Sequence, residues 1–436
     1  MNIITNILGF LILIGILVTF HEGGHFLAAK FFKFPVEIFS IGFGPKIFSF
    51  RRKETEYRFS SIPFGGYVKI KGLGIDESML FSKDIPEDRG TKLQKFLIFF
   101  SGAFTNIILC IIILTFSFMI GINIPAYLME PVVVGYVEKG SPSADIGIKS
   151  GDKILEIDGK VINNWEEFNT IEALSGEKKI RIKFERDGAI LERQVVVEKK
   201  GKYKIGSLGI YPKFIPVIIK VEKGSPAQRA NLLPKDVIEE INGIKIYHSY
   251  ELIEYVSENA SKEVLLKINR NGKEIEIKAI PDNIEGKGRL GIYLQSMPDE
   301  TILKKYPLFL ALKESLKSSI KNTTLSFKVL KNFFSGRGEI AQISGPIDMA
   351  KFSGEAMRSG LSYFLNIMGI ISLQLAIFNL LPIPALDGGH LFILLIEIII
   401  RKNISLKLKY RILQFGFTLL LSLMVIVLIS DLMKNI

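Results

Sequence analysis

The chain has 436 residues, 48% hydrophobic and 23% charged, with a mean hydropathy of +0.30 and a formal net charge of +12. That hydropathy excludes an ordinary water-soluble protein, while the charged fraction requires a substantial water-facing part, so the composition reads as a membrane protein carrying a soluble insert. The positive charge is scattered without any nucleic-acid-binding motif, which argues against nucleic acid and for anionic lipid and topology-setting loops, and the single cysteine, Cys110, excludes an intrachain disulfide.

The first element is a membrane helix over residues 1–30. Ile3 to Phe20 holds no ionisable side chain, and the helix is expected to run on to about Ala29. No basic stretch precedes it and no small-residue cleavage pattern follows, so it reads as a retained span. Within it stands His21-Glu22-Gly23-Gly24-His25. Histidines at i and i+4 share one helix face, and the intervening glutamate can reach a water held between them, which is the H-E-x-x-H arrangement of zinc proteases. Ionisable groups are costly at membrane depth, so their presence there points to function. His21 and His25 are two candidate zinc ligands and Glu22 the general base; catalytic zinc takes three protein ligands, so a third must come from another segment.

Residues 31–95 form a loop in which Tyr57 to Ser60 and Gly66 to Lys71 read as strands. A second span follows at 96–121, uncharged and flanked by Lys92 and Lys95.

The next region contains a repeat. Val137-Glu138-Lys139-Gly140-Ser141-Pro142 recurs as Val221-Glu222-Lys223-Gly224-Ser225-Pro226, an offset of 84, and Leu208-Gly209-Ile210-Tyr211 recurs as Leu290-Gly291-Ile292-Tyr293, an offset of 82. The units, 127–212 and 213–297, are long enough for two small α+β domains and resemble PDZ domains in the permuted arrangement of bacterial proteases. The resemblance implies peptide ligands held as an added strand, with backbone N–H groups of Leu208, Gly209 and Ile210, and of Leu290, Gly291 and Ile292, near the terminal carboxylate.

Residues 301–336 carry Leu312, Leu316, Ile320 and Phe327 at helical spacing among lysines, a basic amphipathic helix suited to the membrane interface or to packing on the second unit. A third span, 359–390, ends in Asn379-Leu380-Leu381-Pro382-Ile383-Pro384-Ala385-Leu386-Asp387-Gly388, where prolines break the helix and Asp387 offers the missing ligand. The run Leu391 to Ile400 is short for a span, and its Glu397 is expected to reach for the interface. A fourth span covers 410–432. Lysines and arginines concentrate between spans one and two and between spans three and four, which puts those loops in the cytoplasm, the repeat units outside and the histidines near the cytoplasmic side.

H-E-x-x-H in a first span with N-x-x-P-x-P-x-L-D-G in a later one is the signature pair of the site-2 protease family, and this chain is similar to it at every fixed position. The two PDZ-like units make the RseP-type branch the nearest likeness. One departure is Gly102-Ala103-Phe104-Thr105-Asn106, where the family often has proline after the glycine. The fold class expected is a polytopic α-helical membrane protein with about four spans, a membrane-associated β-loop and two inserted PDZ-like domains. The resemblance implies an intramembrane endopeptidase with one Zn²⁺ per chain in a bacterial inner membrane. Its substrates would be single-span membrane proteins shortened by a prior cleavage, among them anti-sigma factors and remnant signal peptides, with the PDZ-like tandem as a size filter. It assigns substrate backbone to Asn379 and, by extension, Asn106, while the strand at Gly66, Tyr67 and Val68 suits β-addition. The other readings are a non-enzymatic, membrane-tethered peptide-binding scaffold, which has no use for an intact Glu22, and a metal transporter, which has no use for the tandem. Oligomeric state is not legible.

Overall fold

The computed structural model describes residues 2–73, 89–298, 300–336, 338 and 342–435, so part of the expected 31–95 loop lies outside the described residues. Two compact units result: Met1–Ile122 with Lys304–Ile436, and Asn123–Leu303.

In the first unit, helix α1 (Asn2–Phe31) is apolar and free of proline, and Lys33 at φ 62° turns the chain out of it. At about 1.5 Å per residue, His21 lies roughly 29 Å along α1, near the far end of a membrane-crossing helix. Strands β1 (Val36–Arg52) and β2 (Thr55–Ile70) form an antiparallel hairpin with Arg52 opposite Thr55 and Phe39 opposite Val68. The two short strands expected from the sequence are thus the ends of one strand. Helix α2 (Lys92–Ile120) starts earlier than the expected 96, because Thr91 and Gln94 form a capping box that satisfies its first N–H groups.

The second unit holds two modules with one plan. The first contains β3 (Tyr136–Val137), β4 (Lys153–Ile157), α3 (Trp165–Ala173), β5 (Lys179–Arg186), β6 (Ala189–Val196) and β7 (Ile210–Tyr211), with β7 paired to β3. The second contains β8 (Ile215–Val221), β9 (Val237–Ile241), α4 (Ser249–Glu258), β10 (Val264–Arg270), β11 (Lys273–Ala279) and β12 (Ile292–Met297), with β12 at the sheet edge beside β8. The repeat persists at atomic detail. Arg186 clamps the buried Asp152 and Arg270 the buried Asp236, each with two N–H groups, and Tyr211 donates to Glu138 as Tyr293 does to Glu222. Each module has its own apolar core, one around Phe168 and Phe184, the other around Ile238 and Leu266.

The chain returns to the first unit as α5 (Leu308–Phe334), α6 (Pro346–Arg358), α7 (Leu361–Asn379), α8 (Asp387–Ile399) and α9 (Leu406–Asn435). Four helices among the described residues are long and apolar enough to cross a membrane: Ile3–Phe31, Lys92–Ile120, Leu361–Asn379 and Leu406–Met433. Helix α8, 13 residues, spans only about 20 Å. Helix α5 buries Ala311, Ser315, Ser319 and Ser326, not its large apolar residues. Ser315 bonds Thr115 of α2 and Ser326 accepts from Gln374 of α7, while Leu312, Leu316, Ile320 and Phe327 stay exposed. The apolar stripe is therefore the outer face, which suits the membrane interface, and small residues let the backbones of α5 and its neighbours approach. Glu397, by contrast, does not reach outward. It is buried, pairs with Lys409 at 2.6 Å and accepts from the N–H of Ile404.

Candidate active site

Helices α1 and α2, strand β2 and the turn before α8 enclose a cavity of about 600 Å³ lined by His21, Glu22, His25, Asn379 and Asp387, among others. The helical spacing stacks the two histidine rings edge to face at 4.9 Å. Asp387 is not at the end of the third span, as expected, but in the first turn of α8, after the loop 380–386. Pro382 and Pro384 prevent α7 from continuing, and Ala385 takes φ 73°. The loop then folds back onto α8 so closely that a Cβ on Gly388 would stand 2.1 Å from Leu381 O and one on Gly389 2.4 Å from Ile383 O. Both glycines are needed for backbone to lie on backbone. The positive end of α8 favours an anionic Asp387.

His21 Nε2, His25 Nε2 and Asp387 Oδ2 form a triangle with sides of 3.3, 3.1 and 3.4 Å. Three donors placed about 2.0–2.1 Å from a tetrahedral zinc stand roughly 3.3–3.4 Å apart. Asp387 Oδ2 is buried without a hydrogen-bond partner, which a bound cation supplies. The donor set fits zinc in spacing and in chemistry. Glu22 lines the same cavity without being one of the three donors, and the backbone N–H of Val68 bonds its carboxylate.

The outer partners fix the ligands. His25 Nδ1 faces Ile98 O at 2.7 Å, so it carries the proton and leaves Nε2 for the metal. Asn106 Nδ2 lies 3.4 Å from His21 Nδ1, and Asn106 Oδ1 is buried without a partner. A half-turn of that amide brings Oδ1 onto the Nδ1–H that a metal-bound His21 carries, satisfying both. Asn106 is fully buried and not on the cavity wall, its amide facing His21. Asn379 is on the wall, its Nδ2 3.2 Å from His21 Nε2 and so beside the metal position.

Gly66, Tyr67 and Val68 also line the cavity, and a Cβ on Gly66 would meet Ser40 O at 2.6 Å and Glu22 Cγ at 3.5 Å. Sequence reasoning missed Gly102, Gly24 and Ile98. The signal for Gly102 was its place one helical turn before Asn106. His390 stacks on Phe99, with centroids 4.5 Å apart, and forms part of the wall. The two expected peptide loops lie in the other unit. Leu208 and Leu290 are buried, Gly209 and Gly291 take φ 75° and 72°, and the Leu208 N–H donates to Glu172 Oε1 at 2.6 Å.

The model of peptidase family M50 matches residues 9–423. A Haemophilus influenzae protein named regulator of sigma E protease is 30% identical over 450 residues, covering 100% of both chains. The regulator of sigma-E protease RseP of Escherichia coli is 30% identical over 459 residues, covering 99% of each. A Pasteurella multocida protein named as a zinc metalloprotease is 30% identical over 453 residues, covering 100% of each. A solved PDZ domain from Listeria monocytogenes aligns with 19% of this chain and 90% of its own, at 23% identity and a TM-score of 0.18.

Proposed function

This chain belongs to peptidase family M50 and is a membrane zinc metalloprotease, and from that premise we propose that it cleaves single-span membrane proteins within their membrane segments after another protease has shortened them. The observation that carries the reading is the His21–His25–Asp387 triangle with Glu22 beside it, in a cavity bordered by a membrane helix and a strand.

One Zn²⁺ per chain, when bound, polarises the scissile carbonyl and acidifies water. Glu22 takes the proton from the attacking water and passes it to the leaving amine nitrogen. His21 and His25 keep their Nε2 atoms aimed at one point because Asn106 and Ile98 O hold the opposite nitrogens. A peptide bond in a helix has its carbonyl engaged and shielded, so the substrate must unwind. The stretch Gly66–Val68 offers it strand pairing, and the Asn379 amide takes a freed backbone group next to the metal position. The relatives named as regulators of sigma E protease support an anti-sigma factor as the substrate class, in a bacterial inner membrane. The PDZ-like tandem then screens substrates by the size of what remains outside.

The test compares the wild type with Glu22→Gln on a short single-span substrate while zinc is assayed in both. Cleavage lost with zinc retained supports the assignment; equal cleavage in both sinks it.

A further inference from the structure

Apart from the three metal-facing donors and Glu22, the polar side chains on the cavity wall are those of Tyr67, Lys69, Asn379 and His390. Three of them already have partners. The Tyr67 hydroxyl accepts from Arg58 at 3.4 Å, Lys69 pairs with Glu37 at 3.0 Å, and the Asn379 amide lies against His21. His390 differs. It is only 8% exposed, yet neither ring nitrogen meets a hydrogen-bond partner among the described residues, and the ring borders the cavity. An imidazole always carries at least one N–H, and a buried donor left unmet costs free energy. A group that enters the cavity can meet it.

The fold fixes where this ring stands. His390 follows Asp387 by three residues in α8, so the two share a helix face. The ring lies flat on Phe99, with centroids 4.5 Å apart and planes 1° from parallel. Phe99 adjoins Ile98, whose carbonyl holds His25 Nδ1, and stands one helical turn before Gly102, against which the His25 ring rests. Asp387 and His25 are accordingly among the charged groups that act on His390. The stack sets the plane of the ring, and with it the plane in which its N–H points.

We propose that His390 is a further catalytic residue, an N–H donor to the carbonyl oxygen of the scissile peptide bond. This rests on the reading of the cavity as the active site. As the water oxygen bonds to the carbonyl carbon, the π pair of the carbonyl moves onto its oxygen and Glu22 takes a proton from the water. The His390 N–H bonds that oxygen and keeps its own proton. When the C–N bond breaks, its electron pair leaves with the nitrogen, the oxygen's pair re-forms the carbonyl, and the proton on Glu22 goes to the amine. A donor aimed where charge develops is worth more in a cavity walled by Val18, Ile98, Phe99 and Leu375 than the same bond in water. The imidazole on α8 thus answers the developing charge, and the amide of Asn379 on α7 is left to the unwound strand.

The test replaces His390 in the full chain in detergent. His390→Phe keeps a ring to stack on Phe99 and removes both nitrogens, whereas His390→Gln keeps an N–H and loses the ring. On a short single-span substrate, His390→Phe should lose about 100–1,000-fold in kcat, with KM within about twofold of the parent value. Zinc content and thermal midpoint should match the parent, and His390→Gln should recover about tenfold or more of the lost kcat. A labelled phosphinic peptide built on Val-Ala-Leu-Val, with tetrahedral phosphorus in place of the central carbonyl carbon, gives a reading independent of turnover. His390→Phe should bind it about tenfold or more weakly than the parent does. A kcat in His390→Phe within about threefold of the parent, or a raised KM alone, makes His390 a wall residue and overturns the donor. Loss of zinc or a lowered thermal midpoint in His390→Phe overturns it too, by making the residue a structural support. If the parent leaves the single-span substrate uncut, the proposed substrate class falls and the phosphinic peptide decides His390 by itself. Equal affinity in the parent and His390→Phe overturns the donor, and no binding by either overturns the donor and the active-site reading together.

Discussion

Gly102 of α2 lies directly behind His25: a Cβ placed there would stand 2.3 Å from His25 Nε2 and 2.8 Å from His21 Cε1. No side chain fits, so Gly102→Ala must push both rings off the metal position. Zinc affinity should fall by about 10–100-fold, the range for disturbed ligand orientation, and proteolysis with it. The two glycines inside the histidine motif separate in the same way. A Cβ on Gly24 would meet Ser101 O at 2.5 Å, whereas one on Gly23 meets nothing within 4 Å. Gly24→Ala should damage zinc binding and Gly23→Ala leave it intact. Competition with a chromophoric chelator measures all three; a Gly102→Ala chain that holds zinc as the parent does would refute the packing argument.

Asn106 offers a sharper contrast. If it holds His21 through an acceptor oxygen on Nδ1–H, Asn106→Leu should lower zinc affinity by about 10–100-fold, while Asn106→Asp, which keeps an acceptor, should retain most of it. If Asn106 instead gripped substrate backbone, both variants would bind zinc normally and lose only turnover. Zinc titration alongside kcat and KM separates the two.

The membrane architecture was legible because hydrophobic runs of about 20 residues admit few other readings. Asp387 was legible through its prolines and glycines, since a broken helix beside an acid at that depth has few purposes. Gly102 and Ile98 were not, because what they supply is backbone proximity and a carbonyl oxygen, which no side-chain pattern advertises. The buried face of α5 was not legible either. Periodicity reports where the large apolar residues lie, and beside lipid these point outward while Ser315 and Ser319 make the helix contact. Glu397 was read as an interfacial charge because its partner Lys409 is close in the fold and not in the helical repeat.

The second unit carries two buried titratable groups whose effects on stability oppose each other. Burial pushes Glu172 up from 4.5 to about 7, offset in part by the Leu208 N–H. Folded protein then holds that proton over a range where unfolded chain has lost it, so this contribution is fully present below about pH 4.5 and is lost as pH rises toward 7. Burial pushes His248 down from 6.5 to about 4, against the raising effect of Glu138. Unfolded chain takes up that proton first, so the His248 contribution is present above about pH 6.5 and is lost as pH falls toward 4. Each is on the order of 3 kcal/mol, and they largely cancel between the two. His248 caps α4 as Asn164 caps α3, so His248→Asn keeps a cap and removes the titration. That variant should gain protection on acidification from about pH 7.5 to about pH 5, and Glu172→Gln should lose it. Hydrogen exchange across residues 165–211 and 215–260 of the full chain reads both; parallel pH profiles for the two variants would contradict the assignment.

Glu397 ties the far end of α8, whose first turn carries Asp387, to α9. It accepts from Lys409 at 2.6 Å and from the Ile404 N–H at 2.7 Å, and its own carbonyl accepts from Lys92 at the start of α2. Removing one member of a buried pair strands the other charge, at a cost of about 3–5 kcal/mol, whereas replacing both with apolar residues is often neutral. Lys409→Met alone should therefore lower thermal stability in detergent and loosen the Asp387 end of the site. The double variant Lys409→Met, Glu397→Leu should recover most of the stability and leave zinc binding near the parent value. The coupling between the two substitutions is the diagnostic quantity. Strictly additive losses would mean that Glu397 is held by the Ile404 N–H alone, with Lys409 a bystander.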